Sequence, residues 1–223
     1  MPNTDTNTDT GTNSEAGAID FTIMYATHNA FRRDLARLST RAEPGTLFTD
    51  AASAVWQNFK RQLHIHHTVE DAELWPRVLR AVADREDDLL VLQQMEAEHE
   101  QLGPLLEKVD EALAGRDMGL ADGLRDLATA LDDHMRHEER SALPLIQRVL
   151  TPQDWKAFRS AMARSQGPKG AAVYVPWVVD GVDEGDRRAF FAAMPAPLAV
   201  VNRLFMERSY RRKYSWPASR MRG

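Results

Sequence analysis

Two stretches decide the fold: LHIHHTVEDAELWP at residues 63–76 and LDDHMRHEERSALP at residues 131–144. Each starts as the apolar seam of an amphipathic helix. Each then sets a histidine, and four residues later a glutamate, where a core side chain belongs: His66 with Glu70, and His134 with Glu138. Residues four apart share a helix face and lie about 6 Å apart along the axis. Both pairs therefore aim an imidazole and a carboxylate the same way.

Outward from these stretches, four long segments carry helical periodicity. The first places Phe21, Met24, His28, Phe31, Leu35 and Leu38 on one stripe; the second Trp56, Phe59, Leu63, His66, Glu70 and Leu74. The third places Leu92, Met95, His99, Leu102, Leu106, Val109 and Leu113; the fourth Leu120, Leu124, Leu127, Leu131, His134, Glu138, Leu145 and Val149. Steps of three and four are the seam of a helix that faces other helices. The breaks between segments are short: Glu43-Pro44-Gly45, the Asp84–Asp88 stretch, and Gly115-Arg116-Asp117. Short connections between long helices predict antiparallel neighbours, hence an all-α protein with an up-down-up-down four-helix bundle over residues 18–150.

All four seams are interrupted by polar residues, and burying such groups is costly unless they are paired or coordinated. Spacing supplies a shared reason. His99 lies about 17 residues before the Gly115-Arg116 break and His134 about 18 after it, each roughly 26 Å of helix. His66 and Glu70 are similarly far from Asp84 on one side as His99 is on the other, and His28 falls within about one turn of that height. His28, His66, Glu70, His99, His134 and Glu138 thus converge on one layer of the bundle.

The chain has seven histidines, 33 Asp and Glu, and no cysteine. That excludes disulfides, thiolate metal sites and cysteine nucleophiles, so any metal must be held by imidazole and carboxylate. Four imidazoles and two carboxylates suit iron or manganese more than calcium, with zinc as an alternative. Six ligands crowd a single ion, so a dinuclear centre fits better, His28, His66, His99 and His134 serving as terminal ligands and Glu70 and Glu138 as bridges. His64, His67 and His137 fall beside the ligand face, where His67 or His137 could replace or add a ligand. Tyr25, one turn before His28, is expected in the core or in the same layer. Asp71, Glu73 and Glu139 read as surface charges.

Residues 1–17, rich in Thr, Asn, Asp and Gly, read as a disordered leader without signal-peptide features. Residues 151–223 read as a helical C-terminal extension that wraps the bundle, because about 70 residues of this kind do not easily form a core of their own. Thr151-Pro152 opens a short helix to about Ser165, and Gln166–Gly170 reads as a linker. VYVPWVVDG at 173–181 reads as a lid or an oligomer contact. Two further helices are expected at Glu184–Met194 and Pro197–Glu207, the second with Leu198, Val201 and Leu204 or Phe205 on one face.

The net charge of −5 divides into −11 over residues 1–202 and +6 over residues 203–223. An acidic body predicts no nucleic-acid partner there; the basic tail is expected to dock on that body, with an anionic membrane or nucleic-acid contact as the alternative and its partner left open. No apolar run approaches the roughly 20 residues of a membrane span, so the expected location is the cytoplasm.

The arrangement resembles the hemerythrin family, specifically its HHE cation-binding domains. The likeness rests on His28, the His66-x3-Glu70 pair, His99 and the His134-x3-Glu138 pair. Both pairs extend to His-x3-Glu-x5-Pro, ending at Pro76 and Pro144, and HNAFRRDL follows the family style after His28. The resemblance implies a non-haem di-iron centre, oxo- or hydroxo-bridged, with those six residues as ligands. Oxygen-carrying members have a second histidine four residues along the third helix and end the ligand set on an aspartate. Here the positions four either side of His99 are Met95 and Gly103, and the last carboxylate is Glu138. A more open site is thereby implied, for binding or sensing O2, peroxide or NO. The alternatives are a catalase-like or oxidase enzyme and an iron- or zinc-bound interaction bundle.

Overall fold

The computed structural model describes residues 17–40, 50–115 and 119–214. Among these, every regular element is helical and none is a strand. The expected leader (apart from Gly17), the Glu43-Pro44-Gly45 break, residues 116–117 of the third break and the end of the basic tail lie outside the described residues.

The first segment is α1, Thr22–Ser39. The second is a rod of three pieces: α2 (Asp50–Val69), a π-helical turn (Glu70–Leu74) and α3 (Trp75–Ala81). The third is α4, Glu86–Gly115, and the fourth repeats the pattern as α5 (Leu120–His137), a π-helical turn (Glu138–Ala142) and α6 (Leu143–Val149). α1 packs on α2 and α5, α4 on α5, and α3 on α4 and α6.

Pro76 and Pro144 account for the two π turns. A proline inside a helix has no N–H to donate, and its ring crowds the carbonyl four residues back. Widening the turn by one residue relieves the clash. The Trp75 N–H accordingly reaches back five residues to the Glu70 carbonyl, and the Leu143 N–H to the Glu138 carbonyl. Each bulge opens on the glutamate that interrupts the seam. The His-x3-Glu-x5-Pro spacing thus sets the backbone on which each carboxylate stands.

Two apolar clusters form the core. One joins Phe31, Leu35, Phe59, Leu63, Leu102, Leu127 and Leu131; the other joins Met24, Val69, Leu74, Met95, Ala142 and Ile146. In α1 and α4 the polar layer sits between the two, His28 between Met24 and Phe31, and His99 between Met95 and Leu102. The fourth rod does the same, with Glu138 between Met135 and Ala142.

The extension does more than wrap the bundle. α7 runs from Pro152 to Val178, capped by the reciprocal Thr151–Asp154 pair. The expected linker is a sharp corner at Gly167, where two helical pieces of α7 meet. Gly167 turns the chain with φ 61°, a left-handed value that glycine adopts freely, and Gln166 is buried where its amide donates to Gln62 Oε1 at 2.5 Å. A Cβ at Gly170 would stand 2.5 Å from the Arg61 guanidinium, so a larger residue there would displace that side chain from its bond to Gln166. VYVPWVVDG is the end of α7 and its cap, not a lid: Val175, Trp177, Val178 and Val179 belong to the same core as Phe31 and Leu127. Trp177 is wholly buried, its ring 5.1 Å from Phe31, and its indole N–H donates to the buried Asp34 carboxylate at 2.7 Å.

Beyond it lie α8 (Glu184–Ala192), α9 (Pro197–Val201), a π turn (Asn202–Met206) and α10 (Glu207–Tyr214). The apolar face expected here is outside: Leu204 is 60% and Phe205 68% exposed. The π turn shifts the helical phase by one residue, so Asn202, Tyr210 and Tyr214 face inward instead. No helix among the described residues is long and apolar enough to cross a membrane.

Candidate metal centre

The structure brings all six sequence-predicted residues together. His28 from α1 stands 3.3 Å from His66 of α2, Nε2 to Nε2, and 3.1 Å from Glu138 Oε2 of the fourth rod. Glu70 touches both sides of the layer: Oε1 lies 3.2 Å from His66 Nε2, and Oε2 lies 3.8 Å from His99 Nε2 of α4. His134 meets His99 with ring centroids 4.7 Å apart.

A seventh residue joins them. The sequence places His67 beside the ligand face, but its ring stacks on His99 at 4.0 Å and meets His134 edge-on at 5.2 Å. The ligand atoms fall into two groups, each within 4.8 Å: His67, His99 and His134 in one, His28, His66 and Glu138 in the other. A signal for His67 was present, because Leu63, His67, Glu70 and Leu74 also step by four, three and four. The stripe through His66 and the stripe through His67 are equally regular, and only packing shows that both rings turn inward.

The other expectations divide. Tyr25 is 42% exposed and stands neither in the core nor in the layer. His64 is on the surface, its nearest polar partner Thr68. His137 gives its Nδ1 to Glu98 at 2.7 Å and so braces a carboxylate of the site. Asp71 and Glu139 are not free surface charges. Asp71 takes the Nδ1 of His99 at 2.9 Å, Glu139 that of His28 at 2.8 Å, and Glu98 that of His134 at 2.9 Å. Arg32 holds Glu139 in turn. Glu98 carried no sequence signal, since it is one of several acidic residues on α4. Glu73, by contrast, pairs with Arg77 as a surface charge would.

These carboxylates decide how the rings behave. An Nδ1–H bonded to a carboxylate fixes the ring and leaves the Nε2 lone pair facing inward, the usual arrangement around a metal-bound histidine. Buried without any partner are His67 Nε2, His99 Nε2, His134 Nε2 and all four oxygens of Glu70 and Glu138 by hydrogen-bond geometry. So many orphaned acceptors in a dry layer are costly unless a cation satisfies them. The donor set, imidazole with carboxylate, therefore fits metal ions.

Electrostatics show the strain of the layer. Burial pushes His66 and His67 well below the ordinary histidine range, and the neighbouring imidazoles add to it. Burial also pushes Glu70 well above the carboxylate range, with Glu138 and Asp71 adding to the effect. Burial opposes ionisation of Glu138 as well, but His28 beside it prevails and holds its pKa down to about 2. His28 is raised despite its own burial, because Glu138 and Glu139 face it. One carboxylate is charged and its neighbour resists charging, as expected of two buried acids sharing one site.

The family model for the hemerythrin HHE cation binding domain matches residues 20–146. No curated protein and no solved structure matches the chain.

Proposed function

We propose, from the premise that the chain belongs to the hemerythrin HHE cation-binding domain family, that it is a non-haem di-iron protein whose centre binds or reacts with O2, peroxide or NO. The observation that carries this is the division of the layer into two ligand groups with Glu70 in contact with both. His67, His99 and His134 would hold one ion, His28 and His66 the other, and Glu70 and Glu138 would bridge them. The four bundle segments, in this proposal, run up-down-up-down. An iron pair supplies redox capacity and open coordination positions for a small molecule. The protein's part is to hold that pair rigid and dry. Glu98, Asp71 and Glu139 orient three of the imidazoles, and the apolar clusters on either side exclude water.

Iron analysis with an optical spectrum tests the proposal. The aerobic, iron-loaded chain is expected to hold about two irons and to absorb in the near ultraviolet by charge transfer. Fewer than one iron per chain, or a second metal retained in preference, would sink it. Evolution of oxygen from added peroxide, lost in Glu138→Ala, would make the protein an enzyme of this class. A stable adduct with O2 or NO would make it a binding or sensing module.

His67 separates this ligand set from the six-residue set read from sequence. His67→Ala is expected to lose about one metal per chain, while His64→Ala keeps both, because only the first ring lies in the layer. Equal metal content in the two variants would remove His67 from the centre.

A further inference from the structure

A partly open cavity of about 700 Å3 lies between α1 and the extension. Ile23, Met24, Trp155, Phe158 and Val175 give it a mainly apolar wall, and Asp20, Lys156 and Ser160 mark its rim. Much of the wall comes from residues 152–198, beyond the segment that matches the family. The volume falls within the roughly 300–1,000 Å3 of sites for organic ligands and far exceeds a diatomic gas.

Two polar groups on the wall indicate what the cavity takes. The first is His66, which lines the cavity while its Nε2 faces the metal-ligand cluster. Three of its neighbours in the layer, His28, His99 and His134, give their Nδ1 to a carboxylate. The Nδ1 of His66 is buried with no partner. With Nε2 turned to the cluster, that Nδ1 carries the proton and requires an acceptor. The second group is Tyr174, whose hydroxyl lies 2.7 Å from Thr27 Oγ1. Thr27 spends its own proton on the Ile23 carbonyl at 2.7 Å, so Tyr174 is the donor in this pair. Burial pushes the Tyr174 hydroxyl up to about 12, so it stays protonated and its oxygen keeps a lone pair to accept with.

We propose that this cavity is a binding site for a largely apolar organic molecule bearing a hydroxyl group, an alcohol or a phenol. Its body lies against Met24, Trp155 and Phe158. Its oxygen accepts from His66 Nδ1 and its proton goes to an acceptor such as Tyr174 Oη. Because His66 belongs to the metal layer, an occupied cavity alters the ligand field of the centre; this last step alone rests on the di-iron proposal.

Calorimetric titration of the purified full-length protein, its metal content measured on the same sample, tests the site with 1-naphthol and naphthalene as probes. Both are expected to bind at one per chain, 1-naphthol about tenfold more tightly or better, as a hydrogen bond to a buried group provides. Tyr174→Phe should reduce that preference while naphthalene still binds. Ala171→Trp, which fills the cavity, should abolish both, and Ile23→Phe repeats the test if circular dichroism shows the first variant misfolded. In the iron-loaded protein, 1-naphthol should shift the charge-transfer band. No binding of either probe, or binding untouched by the cavity-filling variants, would overturn the site. Equal affinity for the two probes would overturn the hydroxyl class. Low metal content with probe binding intact would count against the di-iron proposal and leave the cavity standing.

Discussion

Removing metal from the loaded protein is expected to lower its thermal midpoint by about 8–16 °C. Seven side chains of the layer turn lone pairs or charge toward one another, and most of those atoms have no protein partner. Without cations, folding must bury these groups unsatisfied; with them, binding adds its free energy to the folded state alone. At a free metal concentration of about 1,000 times Kd, that contribution is roughly 4 kcal/mol for one ion. For a chain of this size each kcal/mol moves the midpoint by about 2–4 °C. Differential scanning calorimetry of metal-loaded and chelator-treated protein measures the shift. Coincident midpoints would mean that the layer is a self-sufficient polar network and that no metal belongs there.

Trp177→Ala should destabilise the protein at least as much, though it touches no ligand. The indole is wholly buried against Phe31, so truncation leaves a large cavity, for which about 3–5 kcal/mol is typical. It also removes the donor from Asp34, a buried carboxylate that burial pushes above its usual range even with Arg33 beside it. An orphaned partner of this kind adds about 1–3 kcal/mol. Trp177→Phe separates the two effects, since it fills most of the space and removes only the donor to Asp34 Oδ2, whose Oδ1 still accepts from Arg33. Chemical denaturation is expected to rank the alanine variant lowest, phenylalanine between, wild type highest. A loss below about 1 kcal/mol for alanine would show that the extension is an appendage and not part of the core.

Much of the candidate centre was legible because its signal is one-dimensional. A polar residue in an apolar seam stands out against the period of a helix, and His28, His66, Glu70, His99, His134 and Glu138 stood out in that way. Four such breaks at matching distances from the turns fixed their common height before any coordinates. His67 was ambiguous for the same reason, since two adjacent residues 100° apart can each continue a stripe of threes and fours. The carboxylates behind the rings carried no signal. Asp71, Glu98 and Glu139 sit on otherwise ordinary charged stretches, and a charge that orients an imidazole looks like one that faces water.

The extension was the least legible part. Gln166-Gly167-Pro168-Lys169-Gly170 has the composition of a linker, and Gly167 does break the helix, yet the break is a packed corner, because Gln166 is buried against Gln62 and Gly170 lies beside Arg61. Leu204 and Phe205 continue an apolar stripe, but the π turn at Asn202–Met206 carries them to the surface. Local pattern assumes an unbroken helical phase, and one extra residue in a turn rotates everything after it.

By itself the sequence determined the helical class, the four seams, the layer where they break, and the restriction of any metal to nitrogen and oxygen ligands. Those properties follow from periodicity and residue type, which neighbours in space cannot change. Only the tertiary structure decided that His67 enters the layer, that three carboxylates set the imidazoles, that Trp177 completes the core, and that a cavity reaches His66. Each of these depends on two segments far apart in the chain meeting with particular side chains facing. Distance in space, and the satisfaction or orphaning of buried polar atoms that follows from it, is the quantity a linear pattern does not carry.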